Sequence, residues 1–214
     1  MSSKRARELL TPEQRLEFMS IPEQISEFDL GSYYTLSQHD IEIIKRRRRD
    51  HNKLGFALQL CVLRFPGWTL SDVHDIPVSV LDYIAKQLNI DAREIQQYAD
   101  REQTKHEHLD EIRREFGFRN FSFREYRVIS QKVLHHAMEN GNAIYLIQMA
   151  IEELRKQKII LPSLTTVERL AWHVRQRAED KIFMQLVASL SIEQIGKLES
   201  TLSTMPEAKP IWHG

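Results

Sequence analysis

The stretch from Lys45 to Gly67, KRRRRDHNKLGFALQLCVLRFPG, constrains this chain more than any other. Its second half places Leu54, Leu58, Cys61, Val62 and Phe65 at the spacing of a single apolar stripe on a helix. Phe65-Pro66-Gly67 ends that helix, because proline cannot continue the hydrogen-bond ladder and glycine permits the turn. The first half carries six basic side chains between Lys45 and Lys53 against one acid, Asp50. A helix with a buried body and a cationic entry can dock on a polyanion, as nucleic-acid-reading modules do. If one helix spans the basic run, Arg48 shares the face of Ile41 and Ile44 and lies along apolar surface. Arg46, Arg49 and Lys53 then share another face. Asp50 and Asn52 are cap-type residues and equally allow a tight turn. That turn would put His51, Asn52 and Lys53 at the start of a second helix, from which recognition helices reach base edges. Four successive arginines cannot all face one way, so only some of Arg46 to Arg49 can meet DNA. The others pair with acids or cover apolar surface.

The same stretch resembles the N-terminal signature of the large transposases of Tn-three-type replicative transposons. The likeness continues through Leu10-Thr11-Pro12-Glu13 and Tyr34-Thr35-Leu36-Ser37 on one side. On the other it runs through His108-Leu109, Phe116-Gly117-Phe118-Arg119, Glu152-Glu153-Leu154-Arg155 and Ile160-Leu161-Pro162. The order of these blocks, over roughly residues 10–165, is more specific than any one of them. The resemblance implies helical, helix-turn-helix-like modules that precede a catalytic part and bind terminal inverted repeats. It also implies that strand transfer belongs to a metal-binding Asp-Asp-Glu set in an RNase H-like domain far C-terminal to this region. On that reading the chain is a fragment or truncated copy. It has no cofactor of its own, a divalent metal belongs only to the missing domain, and self-association would run through the remainder.

Read without the resemblance, the chain is all-α. Helix starts recur at Thr11-Pro12-Glu13-Gln14, Ser37, Pro77, Asp91 and Ser122, the last with Glu125 as a capping box. Residues 102–116 form a highly charged helix that Gly117 terminates, and Asn140-Gly141-Asn142 turns the chain into an apolar-rich helix over 143–157. Two helices, Val167 to about Leu190 and Ile192 to Leu202, close the fold. No period-two run with hairpin turns marks a strand. The breaks at 67–75 and 161–163 divide the chain into helical DNA-binding modules over 1–75 and 76–163, a helical pair over 164–205 and a tail over 206–214.

Thirty basic residues balance thirty acidic ones, which argues against an indiscriminate polycation. The balance hides local asymmetry: residues 113–132 hold six Arg/Lys against two Glu, and residues 155–181 hold seven against three acids. Such one-sidedness steers a protein to DNA, although each cluster reads equally well as a solvated helix face. Arg113, Arg114, Arg119, Arg124 and Arg127 therefore join Arg46, Arg47, Arg49, His51, Asn52 and Lys53 as candidate DNA contacts, with Lys4-Arg5-Arg7 as a further basic arm. Asn52, Lys53 and Arg49 are the candidates for reading bases, since Asn suits adenine and Arg or Lys suits guanine. In Phe118-Arg119-Asn120-Phe121-Ser122-Phe123-Arg124, three phenylalanines alternate with cations; packing of a helix junction outweighs stacking on bases.

Catalysis has little support. There is no Gly-rich phosphate loop and no serine elbow. His106-Glu107-His108 and His135-His136 lack the spacing that brings metal ligands to one helix face, so no metal site is assigned. The single cysteine, Cys61, sits on the apolar stripe as core, and one cysteine allows no internal disulfide. With neither a signal peptide nor an apolar run of membrane-spanning length, the expected location is cytoplasmic. Two rivals to duplex-DNA binding remain: a helical protein–protein scaffold with a basic docking surface, and an RNA-binding helical module.

Overall fold

A computed structural model describes residues 9–73, 75–99 and 102–203. Among them it contains eleven α-helices and no strand: α1 (Pro12–Met19), α2 (Glu27–Tyr34), α3 (Gln38–Ile44), α4 (Asp50–Arg64), α5 (Val78–Leu88), α6 (Ile95–Ala99), α7 (Glu102–Phe116), α8 (Phe123–Glu139), α9 (Ala143–Lys156), α10 (Leu164–Ser189) and α11 (Ile192–Ser203). The all-α expectation holds. The basic arm at Lys4-Arg5-Arg7 and the tail over 206–214 lie outside the described residues.

The local rules for starting helices act where the sequence placed them. Thr11 and Ser37 make reciprocal capping boxes with Gln14 and Asp40. At Ser122 the box is incomplete: its hydroxyl accepts from the Arg124 N–H and bonds the Glu125 carboxylate side chain to side chain. Helix α2 escapes the sequence reading. Gly31 and its aromatic neighbours mask the period, yet the Ser26 hydroxyl caps it by accepting from the Asp29 N–H at 3.1 Å.

Helix α4 is the axis of the first half. Every residue from Leu54 to Leu63 is buried, so the single stripe read from the sequence wraps into a helix enclosed on all sides. Helices α2, α3, α5, α6 and α7 surround it. Gly55 lets α6 approach: a Cβ there would stand 2.3 Å from the Tyr98 ring, which is itself buried. Helices α8, α9 and α10 form a three-helix bundle beside this group. Helices α5–α7 thus pack with α4, across the break expected at 75, and α10 packs with α8 and α9, across the one expected at 163.

The two groups share one core and a seam. The Leu161 N–H donates to the Gly67 carbonyl at 3.1 Å. Arg119 bonds Lys158 and Ile160 through its backbone, both at 2.9 Å, so the α7–α8 and α9–α10 connections lie side by side. The N-terminal segment closes over the bundle: the N–H groups of Leu9 and Leu10 reach Glu168 of α10 at 3.2 Å, and Arg15 pairs with the same carboxylate at 2.7 Å. Beyond Ala178, α10 leaves the bundle and exposes Phe183, Met184 and Leu186.

Candidate nucleic-acid interface

Helix α3 ends at Ile44 and α4 begins at Asp50, so residues 45–49 form a turn and no continuous helix crosses the basic run. Of the two arrangements the sequence allowed, the turn is the one adopted. The break changes which arginine is buried. Arg48 is exposed, whereas Arg47 is shut in: its guanidinium lies 3.5 Å over the Phe56 ring, donates to the Ile43 carbonyl and pairs with Glu111 of α7. Arg47 therefore fastens the turn to the core and is removed from the DNA candidates. Arg46 is exposed and paired at 3.4 Å with Glu115. Exposed pairs of this kind contribute little and are readily exchanged for a phosphate. Arg48 and Arg49 are exposed and have no ion pair among the described residues.

The residues expected to read bases fare unevenly. His51 is buried, 3.8 Å from Glu94, and leaves the candidate set for that reason. Asn52 is half-buried, and its Oδ1 is enclosed with no hydrogen-bond partner among the described residues. It cannot present both amide atoms to an adenine edge, which is what bidentate reading requires. Lys53 is held by Asp50 at 2.8 Å. The body of α4 is enclosed and cannot lie in a groove. Arg48 and Arg49, with Arg46 beside them, are what this turn offers.

Helix α7 supports the turn from behind, because Glu111 and Glu115 hold Arg47 and Arg46. Arg113 is tied to Asp110 at 2.9 Å, and Arg114 is exposed with its Nε donating to the Asp110 carbonyl at 3.3 Å. Residues 45–53 together with 110–115 carry eight cations against four acids, so the region keeps a positive balance after its internal pairs are made. His108, on the same helix, is structural. Its Nδ1 lies 3.1 Å from the Tyr98 hydroxyl, and burial, helped by the Arg47 charge, pushes the imidazole down to about 4. No group of three or more His, Cys, Asp or Glu among the described residues could hold a metal ion.

A second cationic face lies on the three-helix bundle. Arg119 pairs with Glu125 at 3.1 Å, while Arg124 and Arg127 are exposed and have no ion pair among the described residues. The three phenylalanines before α8 separate by role. Phe118 is buried and Phe121 half-buried, as junction packing requires, but Phe123 is 75% exposed and stacks on Tyr126 with rings nearly parallel. The Tyr126 hydroxyl meets His173 Nδ1 of α10 at 2.8 Å. Burial raises the Tyr126 hydroxyl pKa, and the charges of Arg169 and Arg177 oppose it. Those two arginines are exposed and were missed by the sequence reading of single sites. The only sequence signal for them was the basic excess of residues 155–181, since which helix faces share a surface is decided by packing.

These features define the class: an all-α protein with two cationic surfaces, each carrying exposed arginines free of ion pairs among the described residues. The chain belongs to the family described as "Domain of unknown function (DUF4158)", which matches residues 9–174. It is 48% identical over 204 residues to the transposase for transposon Tn1546 of Enterococcus faecium, an alignment covering 95% of this chain and 20% of that protein. The transposase for transposon Tn21 of Escherichia coli is 36% identical over 96% of this chain and 21% of its own length. The transposase for transposon gamma-delta of Escherichia coli K12 is 31% identical over 85% and 18%. The likeness to Tn-three-family transposases thus extends over nearly the whole chain, which spans about a fifth of the length of these relatives. No described helix is long and apolar enough to cross a membrane.

Proposed function

We propose that this chain recognises the terminal inverted-repeat DNA of a replicative transposon and positions a catalytic part that lies outside it. The observation that carries the reading is the turn at 45–49, where Arg48 and Arg49 stand exposed with no ion pair among the described residues while Arg47 locks the turn onto the core. Cations fixed by a rigid support lose little freedom on meeting phosphates, and each contact releases counterions, so affinity falls steeply with salt. The bundle face with Arg124, Arg127, Arg169 and Arg177 would supply a second set of contacts. Two linked surfaces read a longer site and gain affinity from their linkage. The α3–turn–α4 unit works by its turn and not by laying α4 in a groove. Strand transfer, with its metal, is assigned to the remainder of the longer protein.

The test is a fluorescence-anisotropy titration at near-physiological salt against a duplex carrying the inverted repeat and a scrambled duplex of equal length. Specific recognition gives tighter binding to the repeat by ~10³-fold or more. Equal affinity for both would overturn the sequence-specific reading. Preference for a structured RNA competitor would move the chain to the RNA-binding class.

A further inference from the structure

At the seam between the two helix groups lies a cleft of about 200 Å³, lined by Leu63, Arg64, Phe116, Phe118, Arg155, Lys156 and Lys158. Four of these seven residues are cations, contributed by α4, by α9 and by the loop after α9. Three are accounted for locally. Arg64 forks onto Asp40 with both nitrogens at 2.8 Å, Lys156 reaches Glu153 at 3.3 Å, and Lys158 donates to the Phe116 carbonyl at 3.1 Å. Arg155 differs. Its guanidinium sits 4.9 Å over the Phe65 ring, and its stem lies so close to Gly67 that a Cβ there would meet it at 3.0 Å. None of its guanidinium N–H groups bonds a described acceptor, and it has no ion pair among the described residues. Burial pushes this guanidinium down from its ordinary value, and Glu152, Tyr33 and Tyr34 oppose the shift.

The ends of α4, α7 and α9 converge on the cleft, and helix C-termini attract cations in any protein. Each end supplies only about half a unit of negative charge. Of the carboxylates nearby, Asp40 is taken up by Arg64, and Glu153 is shared between Lys156 and Lys132, the latter at 2.7 Å, so neither is paired with Arg155. We propose that this seam cleft is an anion site that takes one phosphate group, with Arg155 as the fork that holds it and Lys156 and Lys158 at its mouth. A phosphate there would bind both helix groups at once, because Arg64 and Phe116 belong to one and Arg155 and Lys156 to the other. Planar guanidinium donors match phosphate oxygens in pairs, and the rigid stem of Arg155 is already placed.

The probe is inorganic phosphate, titrated into the full chain at constant ionic strength while the Arg155 Nε–Hε cross-peak is followed by NMR and assigned through its loss in R155Q. Saturable movement with a Kd of about millimolar is expected, and K156Q, a change at an exposed position, should weaken it severalfold without altering the melting temperature. A cross-peak that phosphate leaves in place, or a shift unaffected by K156Q, overturns the site. The source is then separated by competition. Displacement by a duplex with hydroxyl ends identifies a backbone phosphate, and displacement only by a 5′-phosphorylated duplex identifies a terminal one. Displacement by neither identifies free phosphate. Duplex binding measured by anisotropy on the same samples keeps the two proposals apart, since the cleft can hold phosphate when duplex binding fails, and the reverse.

Discussion

Neighbouring arginines in one tetrad should fail in different ways. In Arg47→Ala the change removes a guanidinium from a core position whose side chain is 7% exposed. Breaking a buried ion pair by deleting one partner costs about 3–5 kcal/mol, and the lost contact over Phe56 adds about 0.5–2 kcal/mol. Glu111 keeps 30% of its side chain in water and can rehydrate. The net loss should therefore fall near 2–4 kcal/mol, below the sum of the two terms. Urea unfolding would show this as a lower midpoint with an unchanged slope. Arg48→Ala and Arg49→Ala touch no ion pair among the described residues, so their midpoints should match the parent's. Their effect should appear in DNA binding, where each lost phosphate contact lowers the slope of log affinity against log salt by about 0.9. If R47A keeps full stability and loses only DNA affinity, the anchoring role argued for Arg47 is wrong. If R48A and R49A together leave the salt slope unchanged, the turn does not meet DNA.

Two further outcomes test the core behind this surface. The His108 imidazole falls from 6.5 to about 4 on folding, so between those values the unfolded chain binds more protons and stability rises with pH. The contribution, up to about 3 kcal/mol, is complete above pH 6.5 and disappears as pH drops toward 4; H108Q should flatten that part of the stability profile, and an unchanged profile would sink the assignment. In Gly55→Ala, helix propensity would add about 1 kcal/mol, but the new Cβ would stand 2.3 Å from a Tyr98 ring pinned by Gln59 at 2.9 Å and by His108. Overpacking costs about 1–3 kcal/mol or more, so a lowered melting temperature is expected, and a raised one would show that α6 can yield.

The all-α class, most helix starts and the cationic entry to α4 were legible because they rest on local chemistry. Caps at Thr11 and Ser37, the Phe65-Pro66-Gly67 stop and the spacing of apolar residues act over a few positions, and a single chain displays them. The grouping of the helices was not legible. Whether α5–α7 belong to α4 or to α8 depends on which apolar faces meet, and a helix enclosed all round looks, along the sequence, much like one with a wide stripe.

The candidate site divides along the same line. Sequence alone determined that residues 45–53 would be basic and that not all of Arg46 to Arg49 could share a face, since side-chain direction follows from helix geometry. Tertiary structure decided which of them is which. By ending α3 at Ile44 it turned Arg47 inward onto Phe56 and Glu111 and left Arg48 and Arg49 in water. It likewise enclosed His51 and the Asn52 carbonyl and exposed Phe123 while burying Phe118. It also brought Arg155 from α9 to the end of α4, more than ninety residues earlier in the chain. Charge is a property of the sequence, but a charge's partner is set by distance, and distance between remote residues exists only after folding.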